Sequence, residues 1–132
     1  MSQASTMKNG TKVLPEVGVV EAITTAANGL FTAQIAQDDT YIKVVTVTSG
    51  GATEYVVLPK AVAGLIGRVI LLKNGTTGYE LVTPDASNDT INGVDCDGTN
   101  NQLDVAASTI LRCTQISSTG WIAEQIAVTA IT

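Results

Sequence analysis

The sequence predicts an all-β fold, a β-sandwich or jelly-roll-like barrel behind an extended N-terminal arm, and three observations carry that expectation. The chain is 45% hydrophobic yet only 4% aromatic and 14% charged, and valine, isoleucine and threonine recur throughout it. Branching at Cβ restricts such side chains in a helix and suits them to a pleated surface. The apolar residues also come in short runs punctuated by Gly, Asn, Asp and Ser, rather than at helical spacing. Finally, the stretch from Glu54 to Gly93 holds Arg68 to Leu72 and Tyr79 to Thr83 on either side of Lys73-Asn74-Gly75-Thr76-Thr77-Gly78, which predicts a central hairpin. The run Val69-Ile70-Leu71-Leu72 does not alternate, so both faces of that strand are expected to be covered. The return strand alternates weakly and is expected nearer an edge.

A length of 132 residues fits one domain, taken as residues 19–132, with residues 1–18 as the arm. In the arm, Asn9-Gly10 and Pro15 punctuate a polar stretch without period. Val13, Leu14 and Val17 are its apolar members and are candidates to dock on a neighbouring protein. The run from Val19 to Thr25 suits a strand, and Asn28-Gly29 suggests a hairpin into Leu30 to Ala36, a segment whose alanines and glutamines also allow a short helix. Tyr41 to Thr48, dense in β-branched residues, is the clearest strand; Ser49-Gly50-Gly51 turns it into Glu54 to Leu58. Pro59 ends pairing there, and Pro59 to Gly64 reads as a single helical turn.

Beyond the central hairpin, Pro84 to Asp89 is a turn, Thr90 to Gly93 a brief extended piece, and Val94 to Asn101 a loop rich in Asp, Asn and Gly. Gln102 to Ala106, Thr109 to Ile116 and Trp121 to Ile126 follow as strands, with Val128 to Thr132 as a further candidate.

Charge and composition exclude several functions. Seven basic residues against twelve acidic ones give a net charge of −5. The basic residues are scattered, so no cationic face exists for nucleic acid. No apolar run approaches the roughly 20 residues needed to span a bilayer, and the N-terminus lacks the pattern of a secretory leader, which points to folding in a reducing cytosol.

Histidine is absent, which removes Ser-His-Asp and Cys-His nucleophile sets and the commonest transition-metal ligand. Asp38, Asp39, Asp85, Asp89, Asp95 and Asp97 fall in expected turns and are read as turn formers. The loop from Asp95 to Asn101 carries part of a calcium-loop pattern, without its terminal glutamate, and is read as solvated. No catalytic residue, cofactor or metal is expected. Cys96 and Cys113 could close a disulfide or stay as buried thiols, the second being preferred. Trp121 could fill the core or meet a partner, and with Ile70 and Leu72 it completes the interface candidates.

One ordered pattern carries a resemblance: Tyr41-Ile42-Lys43-Val44-Val45-Thr46, then Val57-Leu58-Pro59, Ala63-Gly64, Val69 to Leu72 with Lys73-Asn74-Gly75, Val82-Thr83-Pro84, Asp89-Thr90-Ile91-Asn92-Gly93, and Gly120-Trp121. It resembles a β-domain of tailed-bacteriophage virion proteins, found in capsid decoration (cement) proteins and in head- or tail-fibre modules. The chain departs from that pattern at Asn88 and in its longer loop from Val94 to Asn101. The resemblance implies a structural virion protein made in the bacterial cytoplasm, seated on the capsid exterior as a homo-oligomer, a trimer, against the major capsid protein. The alternative it implies is a fibre or spike module that binds a receptor or carbohydrate.

Overall fold

The computed structural model describes residues 17–98, 100–129 and 131, and it is an all-β sandwich. The strands are β1 (Val17–Thr24), β2 (Ile42–Thr48), β3 (Tyr55–Val57), β4 (Val69–Asn74), β5 (Tyr79–Val82), β6 (Thr90–Ile91), β7 (Val94–Asp95), β8 (Leu103–Val105), β9 (Thr109–Ser117) and β10 (Gly120–Ala127). They form a large seven-stranded sheet in the order β1-β2-β4-β9-β10-β6-β7 and a small three-stranded sheet in the order β3-β5-β8. Ala63–Leu65 forms one 3₁₀ turn where the sequence predicted a helical turn slightly earlier. Among the described residues no helix is long and apolar enough to cross a membrane.

Alternation along each strand decides which side chains enter the space between the sheets. Val45 and Val47 of β2, Ile70 and Leu72 of β4, Leu111 and Cys113 of β9, and Trp121 and Ala123 of β10 meet Val56, Tyr79, Leu81 and Val105 from the small sheet. Ile35, Leu58 and Ala61 fill the same core from the connecting segments. Each buried aliphatic side chain there contributes on the order of 2 kcal/mol through removal from water.

The central hairpin is not formed. β4 lies between β2 and β9 in the large sheet, while β5 lies between β3 and β8 in the small one, so the Asn74-Gly75 segment crosses from sheet to sheet. The reason is local. Asn74 is buried, and its side-chain amide donates to the carbonyls of Thr77 and Ala106 (2.9 and 3.0 Å) and accepts the Thr109 N–H at 3.2 Å. The bonds to Ala106 and Thr109 tie the crossover to the β8–β9 turn instead of closing a hairpin across Lys73 to Gly78. At its far end Gly78 passes so near β8 that a Cβ would lie 2.4 Å from the Val105 carbonyl oxygen.

The strand expected near an edge is in fact the doubly covered one. Every residue of β5 is buried, because the outer face of the small sheet carries Tyr55, Val57 and Val82 beneath Phe31. Phe31 meets Tyr55 edge to face, with centroids 5.5 Å apart. The segment from Leu30 to Ala36 therefore serves as a strap. It adds a single bridge, Gln34 to Val57, rather than the expected hairpin strand, and Ala26 ahead of it bridges Tyr55. Gly29, at φ +85°, makes the turn that leads into it. β4, by contrast, buries Ile70, Leu72 and Asn74 but leaves Val69, Leu71 and Lys73 only half covered.

An Asn-Gly hairpin forms further along, where the sequence suggested only a brief extended piece running into a loop. Asn92 and Gly93 both have positive φ, +53° and +81°, and join β6 to β7 in a tight hairpin of the kind this dipeptide favours. β7 begins inside what the sequence presented as a loop, and Val128 and Thr129 carry no strand.

Candidate interaction surface

The large sheet has an outer face that no described residue covers, and its make-up follows from the register. Ile42, Val69, Thr114 and Ile122 lie in one row across β2, β4, β9 and β10. Val20, Val44, Leu71, Arg112 and Glu124 form the next row, and Ala22, Thr46, Lys73, Ile110 and Ile126 the third. Val20, Ile42, Ile122 and Ile126 are 68%, 47%, 38% and 46% exposed. Ile116 adds to this face at a bulge, where the β9–β10 register shifts between Gly120 and Trp121. Scattered exposed aliphatics are normal on a soluble protein; a contiguous sheet face of them marks a surface that meets something apolar.

Charge is sparse there. Arg112 donates through Nε and Nη2 to Glu124 Oε1 (3.1 and 2.8 Å), and Lys73 is the other charged group in these rows. Among the described residues the other acids lie outside these rows, in the loops, on the small sheet, in β7, or, for Glu21, on the covered side, where Lys43 Nζ bonds Glu21 Oε1 at 2.9 Å and Asp38 Oδ2 at 2.7 Å. Partial burial would raise the Asp38 carboxyl, but hydrogen bonds from Lys43 and Thr40 outweigh it and hold the group below its ordinary value.

The interface candidates divide. Ile70 and Leu72 are core residues, at most 2% exposed, which corrects their reading as contact residues, and Trp121 takes the core place that was one of its two readings rather than a contact: on β4 the outward positions are Val69 and Leu71. The sequence run of four apolar residues conceals this one-residue choice of face. Val17 opens β1 opposite Ile42, so strand begins inside the span taken as arm. Val13 and Leu14 lie outside the described residues. Val20, Ile42, Ile122 and Ile126 were missed, although alternation already sets Ile42 apart from buried Lys43, and Ile122 apart from buried Trp121 and Ala123.

Trp121 instead anchors a buried polar cluster. The Arg68 guanidinium stands 5.0 Å above its ring, donates to Gln115 Oε1 (2.9 Å) and to the Lys60 carbonyl (2.9 Å), and is 1% exposed. Burial pulls the Arg68 pKa down, opposed by Asp38, Asp39 and Asp89. Asp89, fully buried, accepts the Ala61 N–H at 2.8 Å and pairs with Lys60 at 3.2 Å. Asn92 closes the set: its backbone N–H donates to the Trp121 carbonyl, and its side chain exchanges two bonds with the Ala123 backbone. The Asp-Thr-Ile-Asn-Gly and Gly-Trp pieces singled out in the sequence thus meet the segment from Lys60 to Val62, which lies between the Leu-Pro and Ala-Gly pieces, and fasten it to the strands.

A groove of about 270 Å³ lies beside β6 to β8, lined by the apolar Ile91, Val94 and Leu103 and the polar Asn100, Gln102 and Asp104. Next to it the aspartates act on backbone: Asp97 Oδ2 accepts the Asn88 N–H at 2.8 Å and Asp95 Oδ1 the Asp97 N–H at 3.2 Å. Among the described residues no group of three or more His, Cys, Asp or Glu is placed to hold a metal. Cys96 and Cys113 are separate, buried free thiols, and burial pushes both pKa values up. Comparison with family models, with curated proteins and with solved structures gives no match to this chain.

Proposed function

We propose that this chain is a structural virion protein, a capsid decoration (cement) protein that binds the outer surface of a tailed-phage head as an oligomer and stabilises it, and that it is not an enzyme. The observation that carries the reading is the aliphatic outer face of the large sheet, which is suited to being covered by protein. Cementing requires no reaction: apolar burial repeated over a lattice lets modest energies per copy accumulate. The interlocking of the motif pieces around Asp89 and Trp121 supports treating that ordered pattern as the signature of a fold rather than of a catalytic site. Its partners are then further copies of itself and the major capsid protein, and its place is the capsid exterior.

Co-sedimentation with purified heads of the parent phage tests this. The full chain is expected to pellet with heads and to raise the temperature at which they open; heads that neither retain the chain nor gain stability contradict it. A chain lacking residues 1–16, cut just before β1, should fold normally and occupy fewer sites.

The alternative, a fibre or spike module that binds carbohydrate, draws on the amide-lined groove beside β6 to β8, since amides and a carboxylate among apolar side chains can bond sugar hydroxyls. Binding of host polysaccharide that is lost in Gln102→Ala, without head binding, would favour it.

A further inference from the structure

We infer that the outer face of the large sheet is a homotypic interface, covered by the same face of a second copy of this chain. This rests on the structural reading above and names the partner that the face meets. Chemistry comes first. The three rows across β1, β2, β4, β9 and β10 are made almost wholly of Val, Ile, Leu, Thr and Ala, the apolar character of interfaces between identical subunits rather than of transient contacts.

Charge selects the occupant. A chain of net charge −5 repels its own copies over most of its surface, yet these rows hold only Lys73, Arg112 and Glu124, so this is where two copies can approach without opposing acids. The Arg112–Glu124 pair uses only one oxygen of Glu124, leaving Oε2 to accept from Arg112 of a neighbouring copy. Two such pairs meeting alternate in sign and fix the alignment of otherwise featureless aliphatic rows.

Area is sufficient. Five strands at about 4.8 Å spacing, each contributing about six residues of ~3.3 Å, give a face of roughly 24 by 20 Å, and two such faces offer about 1,000 Å² before side-chain relief is counted, the lower bound for a specific interface.

Sedimentation equilibrium of the full chain decides the matter. The wild type is expected at a multiple of 13.6 kDa, and Ile122→Glu at the same concentration at the single-chain mass, with the emission of buried Trp121 unchanged to show that the fold persists. Arg112 and Glu124 are about half exposed, so charge reversal leaves folding intact. Arg112→Glu and Glu124→Arg are each expected to weaken self-association at least tenfold, and a mixture of the two variants to restore it. A wild type that sediments as a single chain, or an unchanged mass in Ile122→Glu, would overturn the inference. A single-chain wild type that melts lower in Ile122→Glu would also overturn it, and would assign the face to residues 1–16. A single chain that still pellets with heads overturns the pairing and leaves the virion reading; an oligomer that never pellets with heads does the reverse.

Discussion

At the scale of single residues, the buried polar groups make the sharpest predictions. The Tyr79 hydroxyl lies in the core with no hydrogen-bond partner, and burial drives its pKa far up. Removing an unpartnered buried hydroxyl should relieve its desolvation cost, so Tyr79→Phe is expected to stabilise the fold by about 1 kcal/mol in chemical denaturation. Glu80 stands in β5 opposite Asp104 of β8, and burial first, then Asp104, raises its pKa. A carboxyl whose pKa is higher in the folded state contributes its stability when protonated and loses it as pH rises from its ordinary value of 4.5 through the folded one. Glu80→Gln should therefore raise the melting temperature at pH 7, and the advantage should shrink as the pH is lowered toward 4.5 and be gone below it. Asp38 has the opposite sign: its depressed pKa makes the Lys43 contact stabilising above the ordinary value of 3.8 and progressively lost below it, as acid unfolding of Asp38→Asn against the wild type would register.

At the scale of elements, two connections hold the sandwich together. Gly78 carries the crossover from β4 to β5 past the Val105 carbonyl, and nothing can shift there except backbone. Gly78→Ala is expected to cost about 2 kcal/mol, as an overpacked core position does, and thermal unfolding measures it. Asp89 fastens the segment around Ala61 to the start of β6; Asp89→Ala leaves that buried N–H unpaired and should cost a similar amount, about 2 kcal/mol, with Asp89→Asn losing less.

These same elements show what could be read in advance. The strands of Tyr41 to Thr48 and Thr109 to Ile116 were legible because β-branched residues are dense there and turn residues bound them. The Asn92-Gly93 turn was read only as the end of a brief extended piece, although its dipeptide admits positive φ at both positions. Asn74-Gly75 misled for a physical reason: the fate of that turn depends on Ala106 and Thr109, which are distant in sequence. In the same way, the strap of residues 30–36 looks like a strand because it is extended, and only Tyr55 beneath Phe31 shows what it covers.

At the scale of the whole molecule, one sheet is capped and the other is not. The strap closes the outer side of the small sheet, so β3 and β5 are buried on both faces. The large sheet has no such cover among the described residues, and its outward rows remain aliphatic. The pattern of Val69 to Leu72 announced that something must shield this strand from both sides, but not that Val69 and Leu71 would stay half covered among the described residues. That asymmetry, and not a set of reactive groups, is what the account rests on.

Hydroxyl-radical footprinting of the full chain at the concentration where it assembles tests that claim most directly. Ile66 lies off the sheet and is 48% exposed, nearly the same as Ile42 at 47% and Ile126 at 46%, so it serves as an internal reference. The account predicts that Ile42, Ile122 and Ile126 are labelled far more slowly than Ile66, and that Ile122→Glu returns Ile42 and Ile126 to the rate of Ile66. Labelling of the sheet residues as fast as Ile66 in the wild type would contradict it.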